Sequence, residues 1–106
     1  MQQISVLELY QQLNSREEIQ LIDVREQWEH ELFNIGGEIF PLGSLMANAD
    51  KVSRDKTVVF YCQKGIRSQI AIQRLEQKLN ATNLVNLTGG MDAWKRSGYP
   101  ANEKTH

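Results

Sequence analysis

The run Thr57-Val58-Val59-Phe60-Tyr61 is the feature that most restricts the fold. It is apolar without alternation, so a strand built from it must be covered on both faces, as at the centre of a parallel sheet flanked by helices. The residues after it agree. Beyond Gln63-Lys64-Gly65 the spacing predicts a helix from about Arg67 to Leu79, with Ile70, Ala71, Leu75 and Leu79 on one face and polar residues opposite. Strand-like and helix-like stretches alternate on either side. Ser5 and Glu8 form a capping box ahead of Val6, Leu9, Tyr10 and Leu13 at helical spacing. Ile19 to Val24 reads as a strand, and Glu26 to Phe33 as a short helix carrying Trp28 and Leu32 on one face. Residues 34–37 break that helix, 38–40 form a brief extended piece stopped by Pro41, and 44–50 are weakly helical, with Leu45 and Met46 expected in the core. Asn83 to Leu87 is a further strand. Thr88-Gly89-Gly90 then opens a last helix bearing Met91 and Trp94, which ends at Ser97-Gly98 before Pro100. This order predicts an α/β fold, a mostly parallel sheet with helices on both faces.

A length of 106 residues fits one domain over 1–106, with the polar residues 101–106, the terminal His106 included, expected to fray. A hydrophobic content of 41% with 24% charged residues disfavours disorder. The net charge of −1 offers no field to attract nucleic acid or anionic lipid. The longest apolar run, Val58 to Cys62, is far too short to span a membrane, and the first residues lack the basic and apolar pattern of a signal peptide. The expectation is a soluble, cytoplasmic protein with no nucleic-acid or membrane partner, and a monomer because no exposed apolar stripe is evident. A single cysteine excludes an internal disulfide and a Cys-x-x-Cys dithiol, and one Cys with two His cannot build a Cys-rich zinc site. No metal or cofactor is expected. A nucleotide phosphate loop of the Gly-x-x-x-x-Gly-Lys-Ser/Thr type is absent.

In open parallel sheets ligands bind beyond the carboxyl ends of strands, often where a helix begins. The residue there is Cys62. A lone cysteine usually just packs, but this one opens the segment Gln63-Lys64-Gly65-Ile66-Arg67-Ser68 that leads into a helix. Gly65 allows a tight turn with inward-pointing N–H groups, and the helix start adds unpaired amides and the positive end of its dipole. From Lys56 to Leu75 there is no acidic residue, whereas Lys56, Lys64, Arg67 and Arg74 are basic. Nearby cations and helix N-termini lower a thiol pKa, so a positive pocket around a thiolate is expected. His30 is expected on the polar side of its helix beside Glu29 and Glu31, without a catalytic role. Tyr10, Tyr61, Trp28 and Trp94 read as core or rim packing, since no basic residues interleave with them.

Three segments resemble the single-domain rhodaneses, or rhodanese-like sulfurtransferases. Leu21-Ile22-Asp23-Val24-Arg25-Glu26 is similar to the family's Leu-Ile-Asp-Val-Arg-Glu strand end. Cys62-Gln63-Lys64-Gly65-Ile66-Arg67-Ser68 is similar to its active loop, Cys-x-x-Gly-x-Arg-Ser. Leu87-Thr88-Gly89-Gly90-Met91-Asp92-Ala93-Trp94 resembles its closing Leu-x-Gly-Gly-x-x-x-Trp motif. The segment Phe33-Asn34-Ile35-Gly36-Gly37-Glu38 departs from the frequent Gly-His-Ile-Pro-Gly-Ala and looks more like rhodanese domains at the C-terminus of ubiquitin-activating-like adenylyltransferases, which serve molybdopterin or thiamine synthesis. The resemblance implies a rhodanese-like central sheet of about five mostly parallel strands. It also implies a Cys62 persulfide that takes sulfur from thiosulfate or a persulfide-donor protein and passes it to cyanide, a thiol or a ubiquitin-like sulfur carrier.

Four residues separate Cys62 from Arg67, one fewer than in the related phosphatase loops, and the tighter ring suits a single sulfur atom better than a tetrahedral oxyanion. Phosphatases of that type also need a general acid, which sulfur transfer does not. The expected substrate-binding loop is Gln63, Lys64, Gly65, Ile66, Arg67 and Ser68, with Asp23 and Arg25 supporting it. Lys64 and Arg67 would steer an anionic donor, or Arg67 would turn outward and brace the loop. Ser68 would cap the helix as well as face the pocket. A docking module with an inert Cys62, and a redox sensor oxidised at Cys62, are the alternatives.

Overall fold

The computed structural model describes residues 1–104. Five strands form one sheet: β1 (Gln2–Ile4), β2 (Ile19–Asp23), β4 (Glu38–Ile39), β5 (Thr57–Tyr61) and β6 (Leu84–Leu87). Their order is β1-β6-β5-β2-β4, and every pairing is parallel. The sequence therefore places Thr57–Tyr61 correctly at the centre. Val58, Phe60 and Cys62 face one layer, built from α3 (Arg67–Leu79) and a 3₁₀ segment (Leu42–Lys51). Val59 and Tyr61 face the other, where α1 (Val6–Asn14) and α4 (Gly90–Ser97) contribute Leu9, Met91 and Trp94. Both faces of β5 are thus dry, which is why its run does not alternate.

The Ser5–Glu8 capping box forms as expected, with both reciprocal bonds at 3.1 Å. Several expectations are corrected. Gln2–Ile4, too short and polar to read as a strand, is one because β6 offers an open edge. In α2 (Gln27–Leu32) nothing is buried, and Trp28 is 65% exposed with Leu32 also exposed, so Trp28 is neither core nor rim. Met46 is exposed, whereas Leu45 is buried as expected, and Ala49 joins it in the core. On α3 the buried stripe is Ala71, Ile72 and Leu75, with Ile70 at its exposed margin. The tail does not simply fray: β7 (Asn102–Glu103) pairs antiparallel with β3 (Phe33–Asn34), while residues 105 and 106 lie outside the described residues. Among the described residues no helix is long and apolar enough to cross a membrane.

Candidate active site

Cys62 follows the last residue of β5 and is buried. Gly65, at φ +90°, makes the reversal that a side chain would strain, and its N–H returns to donate to Cys62 Sγ at 3.1 Å. Ser68, in the first turn of α3, is fully buried with its Oγ 3.5 Å from the same sulfur. The carbonyls of the loop point the opposite way. Cys62 O accepts the Met91 N–H at 2.9 Å and Gln63 O accepts the Asp92 N–H at 3.0 Å, both from the first turn of α4. Acceptors therefore face α4 and donors face sulfur. This backing needs Gly90, where a Cβ would fall 2.3 Å from Cys62 O and 2.8 Å from Gln63 O. The Thr88-Gly89-Gly90 segment is the rear wall of the loop.

Burial raises the Cys62 thiol, but the Ser68 hydroxyl and the N–H groups of Ser68, Gly65 and Lys64 outweigh it, and the thiol ends below its ordinary value. The Ser68 hydroxyl also donates to Asn86 Oδ1. It has one proton. With Cys62 as a thiol, that proton stays on the Asn86 side and Sγ–H donates to Ser68; once the thiolate forms, the hydroxyl proton can turn to sulfur. Asn86 Nδ2 is held in turn by Gln3 Oε1 at 2.8 Å. Neither Asn86 nor Gln3 was picked out from the sequence. The available signal was a polar residue inside the otherwise apolar strand Leu84-Val85-Asn86-Leu87, since a buried amide needs partners.

Asp23 is the last residue of β2 and Arg25 lies just beyond it, and both are buried. Arg25 Nε and Nη2 donate to Asp23 Oδ1 and Oδ2 at 3.0 and 2.9 Å, and Arg25 Nη1 donates to Gln63 Oε1 at 2.9 Å. Gln63 Nε2 then donates to Asp92 Oδ1, which links β2 to α4 through the residue after Cys62. The pair supports the loop without touching the sulfur. Gln63 is a strut, and its side chain is not free for substrate. His30 also departs from expectation: it turns inward, with Nδ1 2.9 Å from Asp23 Oδ2. Its partner is Asp23, and no bond joins it to Cys62.

Arg67 takes the outward-bracing arrangement. Its Nη1 and Nη2 donate to the two carboxylate oxygens of Glu29 in α2, each at 2.8 Å. That bond holds the Glu29 carboxyl below its usual range. Ser68 does not cap α3, whose N-cap position is Ile66 without a side-chain cap. Lys64 is exposed and has no ion-pair partner among the described residues. The expected positive pocket is thus much less positive than the run of basic residues implied. The cavity over Cys62 measures about 270 Å³ and is lined by Glu29, Cys62, Gln63, Lys64, Ile66 and Arg67. A groove of about 340 Å³ lined by Tyr10, Leu13, Ile35 and Trp94, among others, holds no nucleophile. Among the described residues, no cluster of three or more His, Cys, Asp or Glu is placed to hold a metal ion.

The family model described as "Rhodanese-like domain" matches residues 5–97. The chain is 33% identical over 100 residues to "Probable adenylyltransferase/sulfurtransferase MoeZ" of Mycobacterium tuberculosis, covering 92% of this chain and 25% of that protein. It is 32% identical over 94 residues to the thiosulfate sulfurtransferase GlpE of Coxiella burnetii, covering 88% and 86%. A crystal structure of a rhodanese-like domain protein from Staphylococcus aureus superposes with a TM-score of 0.85 at 27% identity, covering 99% of this chain and 100% of that one. Some curated relatives are longer: the chain spans a quarter of MoeZ and 60% of the Bacillus subtilis protein YqhL, to which it is 42% identical over 76 residues. A cysteine cradled by loop amides beyond the central strand, a Gly-Gly wall behind it and these matches place the chain in the rhodanese-like domain family, among whose members are proteins named sulfurtransferases.

Proposed function

We propose that this chain moves sulfane sulfur through a persulfide on Cys62. The observation that carries the reading is the Gly65 N–H that donates to one buried sulfur at 3.1 Å, with the Ser68 Oγ 3.5 Å from it and the start of α3 behind them. In the first step the Cys62 thiolate attacks the outer sulfur of thiosulfate or of a persulfide on a donor protein. An S–S bond forms to Cys62, the donor's S–S bond breaks, and its electron pair leaves with sulfite or a thiolate. The terminal sulfur then carries the negative charge, and loop amides turned toward it stabilise it by charge-assisted hydrogen bonds. In the second step a nucleophilic acceptor, a thiol or cyanide, attacks the terminal sulfur, the Cys62 S–S bond breaks, and its electron pair restores the Cys62 thiolate. The kinetics are those of a ping-pong exchange. No general acid is required. Asp23 could not readily serve as one, because it is buried and both its oxygens are engaged by Arg25 and His30, which disfavours phosphate-ester hydrolysis.

The test is the intact mass of the protein after thiosulfate or a persulfide donor, with and without reductant. The expected result is a reductant-reversible gain of one sulfur atom that Cys62→Ser abolishes. No gain from either donor, with Cys62 still open to alkylation, overturns the proposal in favour of the docking or redox-sensing alternatives.

A further inference from the structure

We infer that Gln3, on the edge strand β1, is a positioning residue for Cys62: through Asn86 it keeps the Ser68 hydroxyl proton turned away from the sulfur until the sulfur is charged. The inference rests on the sulfur-transfer reading above for its use, but it is tested on the ionisation of the thiol itself, so the two can fail separately. The parallel pairing of β1 with β6 sets Gln3 directly opposite Asn86. Gln3 Oε1 accepts from Asn86 Nδ2 at 2.8 Å and from the Thr88 hydroxyl at 3.0 Å. Two donors aimed at one oxygen hold the Gln3 amide with that oxygen toward Asn86. Asn86 is buried, so its own amide must find a partner at each end. With an acceptor at the Gln3 end, Nδ2 faces Gln3 and Oδ1 faces Ser68, whose hydroxyl donates to it. Turned over, the amide would set oxygen against oxygen at Gln3.

The Ser68 hydroxyl has a single proton. Because that proton lies in the bond to Asn86, Ser68 turns only a lone pair toward the uncharged Cys62 sulfur 3.5 Å away. When charge develops on Sγ, in the free thiolate or as the Cys62 S–S bond breaks, the proton can leave Asn86 for sulfur. That exchange costs the neutral bond to Asn86, and the cost sets how readily the thiol ionises. A hydroxyl aimed permanently at sulfur would give more thiolate but a weaker nucleophile, since nucleophilicity falls as the thiol pKa falls. A strand of only three residues, Gln2–Ile4, thereby tunes the attacking group from the edge of the sheet.

The experiment reads the pH dependence of Cys62 alkylation by iodoacetamide, followed by intact mass, in the native chain, Gln3→Met and Gln3→Glu. Methionine keeps the length of the side chain and takes away the acceptor. The Asn86 N–H then has Ser68 Oγ as its partner only if the amide turns over, and an unpaired carbonyl is tolerated better than an unpaired N–H. The turn releases the Ser68 proton to sulfur. The alkylation midpoint is expected to fall by about half a unit, the size of one neutral hydrogen bond that no longer has to break on ionisation. A glutamate carboxylate presents only acceptors, so the midpoint of Gln3→Glu should not fall below the native one. Gln3→Met is repeated together with Ser68→Ala, where no hydroxyl is left to relay the change, and its shift relative to Ser68→Ala alone should vanish. An unmoved or raised midpoint in Gln3→Met, a fall in Gln3→Glu, or a shift that survives in the Ser68→Ala background overturns the inference. Native protein that alkylates but takes sulfur from no donor overturns the sulfur-transfer reading and leaves the role of Gln3 at the thiol standing.

Discussion

Replacing Ser68 by alanine tests whether the thiolate is held by the hydroxyl as well as by the amides. The substitution removes the Oγ that lies 3.5 Å from Cys62 Sγ and keeps the Gly65 N–H at 3.1 Å. A hydrogen bond to a charged partner contributes about 1.5–3 kcal/mol. The long S···O distance argues for the low end, about 1.5 kcal/mol, which corresponds to about one pKa unit. The sign follows from which form gains the bond: the hydroxyl favours the thiolate, so its loss raises the thiol pKa. The assay is the pH dependence of Cys62 alkylation by iodoacetamide, whose midpoint should rise by about one unit. Asn86→Val should move the midpoint the opposite way, because Asn86 Oδ1 no longer competes for the Ser68 proton. An unmoved midpoint in folded Ser68→Ala, or shifts of the same sign in the two variants, would refute the reasoning. Stability follows the same linkage. A thiol depressed in the folded state adds stability that is fully present above its unfolded pKa and is lost as pH falls through the folded value. Native protein should therefore gain stability, relative to Cys62→Ser, as the pH rises through that window.

Three further changes probe the frame of the site. Gly90→Ala places a Cβ 2.3 Å from Cys62 O at a residue with φ +56°, and urea denaturation should show a loss of about 2 kcal/mol or more together with slower Cys62 alkylation. Tyr61→Phe removes the hydroxyl oxygen that accepts the Gly37 N–H at 3.1 Å, in a contact so close that a Cβ on residue 37 would lie 2.7 Å from the ring. The orphaned buried amide should cost about 1–3 kcal/mol by denaturation, with Gly37 hydrogen exchange accelerated. Asp23→Asn leaves the buried Arg25 guanidinium without its carboxylate, and a loss of about 3–5 kcal/mol is expected from the same measurement. A value below about 1 kcal/mol would show that Gln63 and the Phe33 carbonyl suffice to hold the arginine.

The sequence alone determined the order of the main helices and the longer strands, the central place of Thr57–Tyr61 and the position of Cys62 at the carboxyl end of that strand. These features are local. Hydrophobic period, a capping box at Ser5 and a glycine at a left-handed turn act within a few residues of chain, so their physics is written side by side. Gly65 is the clearest case, because the same residue that marks the turn delivers its N–H to the sulfur. Tertiary structure decided who meets whom across elements. Arg67 finds Glu29 across 38 positions and Ser68 finds Asn86 across 18, so a segment read as a run of positive charge contains an arginine already tied to a carboxylate. His30 turns in to Asp23 while Trp28, two residues earlier, stays in solvent. Short edge strands such as Gln2–Ile4 and Asn102–Glu103 exist only because partners with open backbone groups stand beside them. The rotation of each helix and the register of each strand are set by how whole faces pack, and no window of neighbouring residues contains that information.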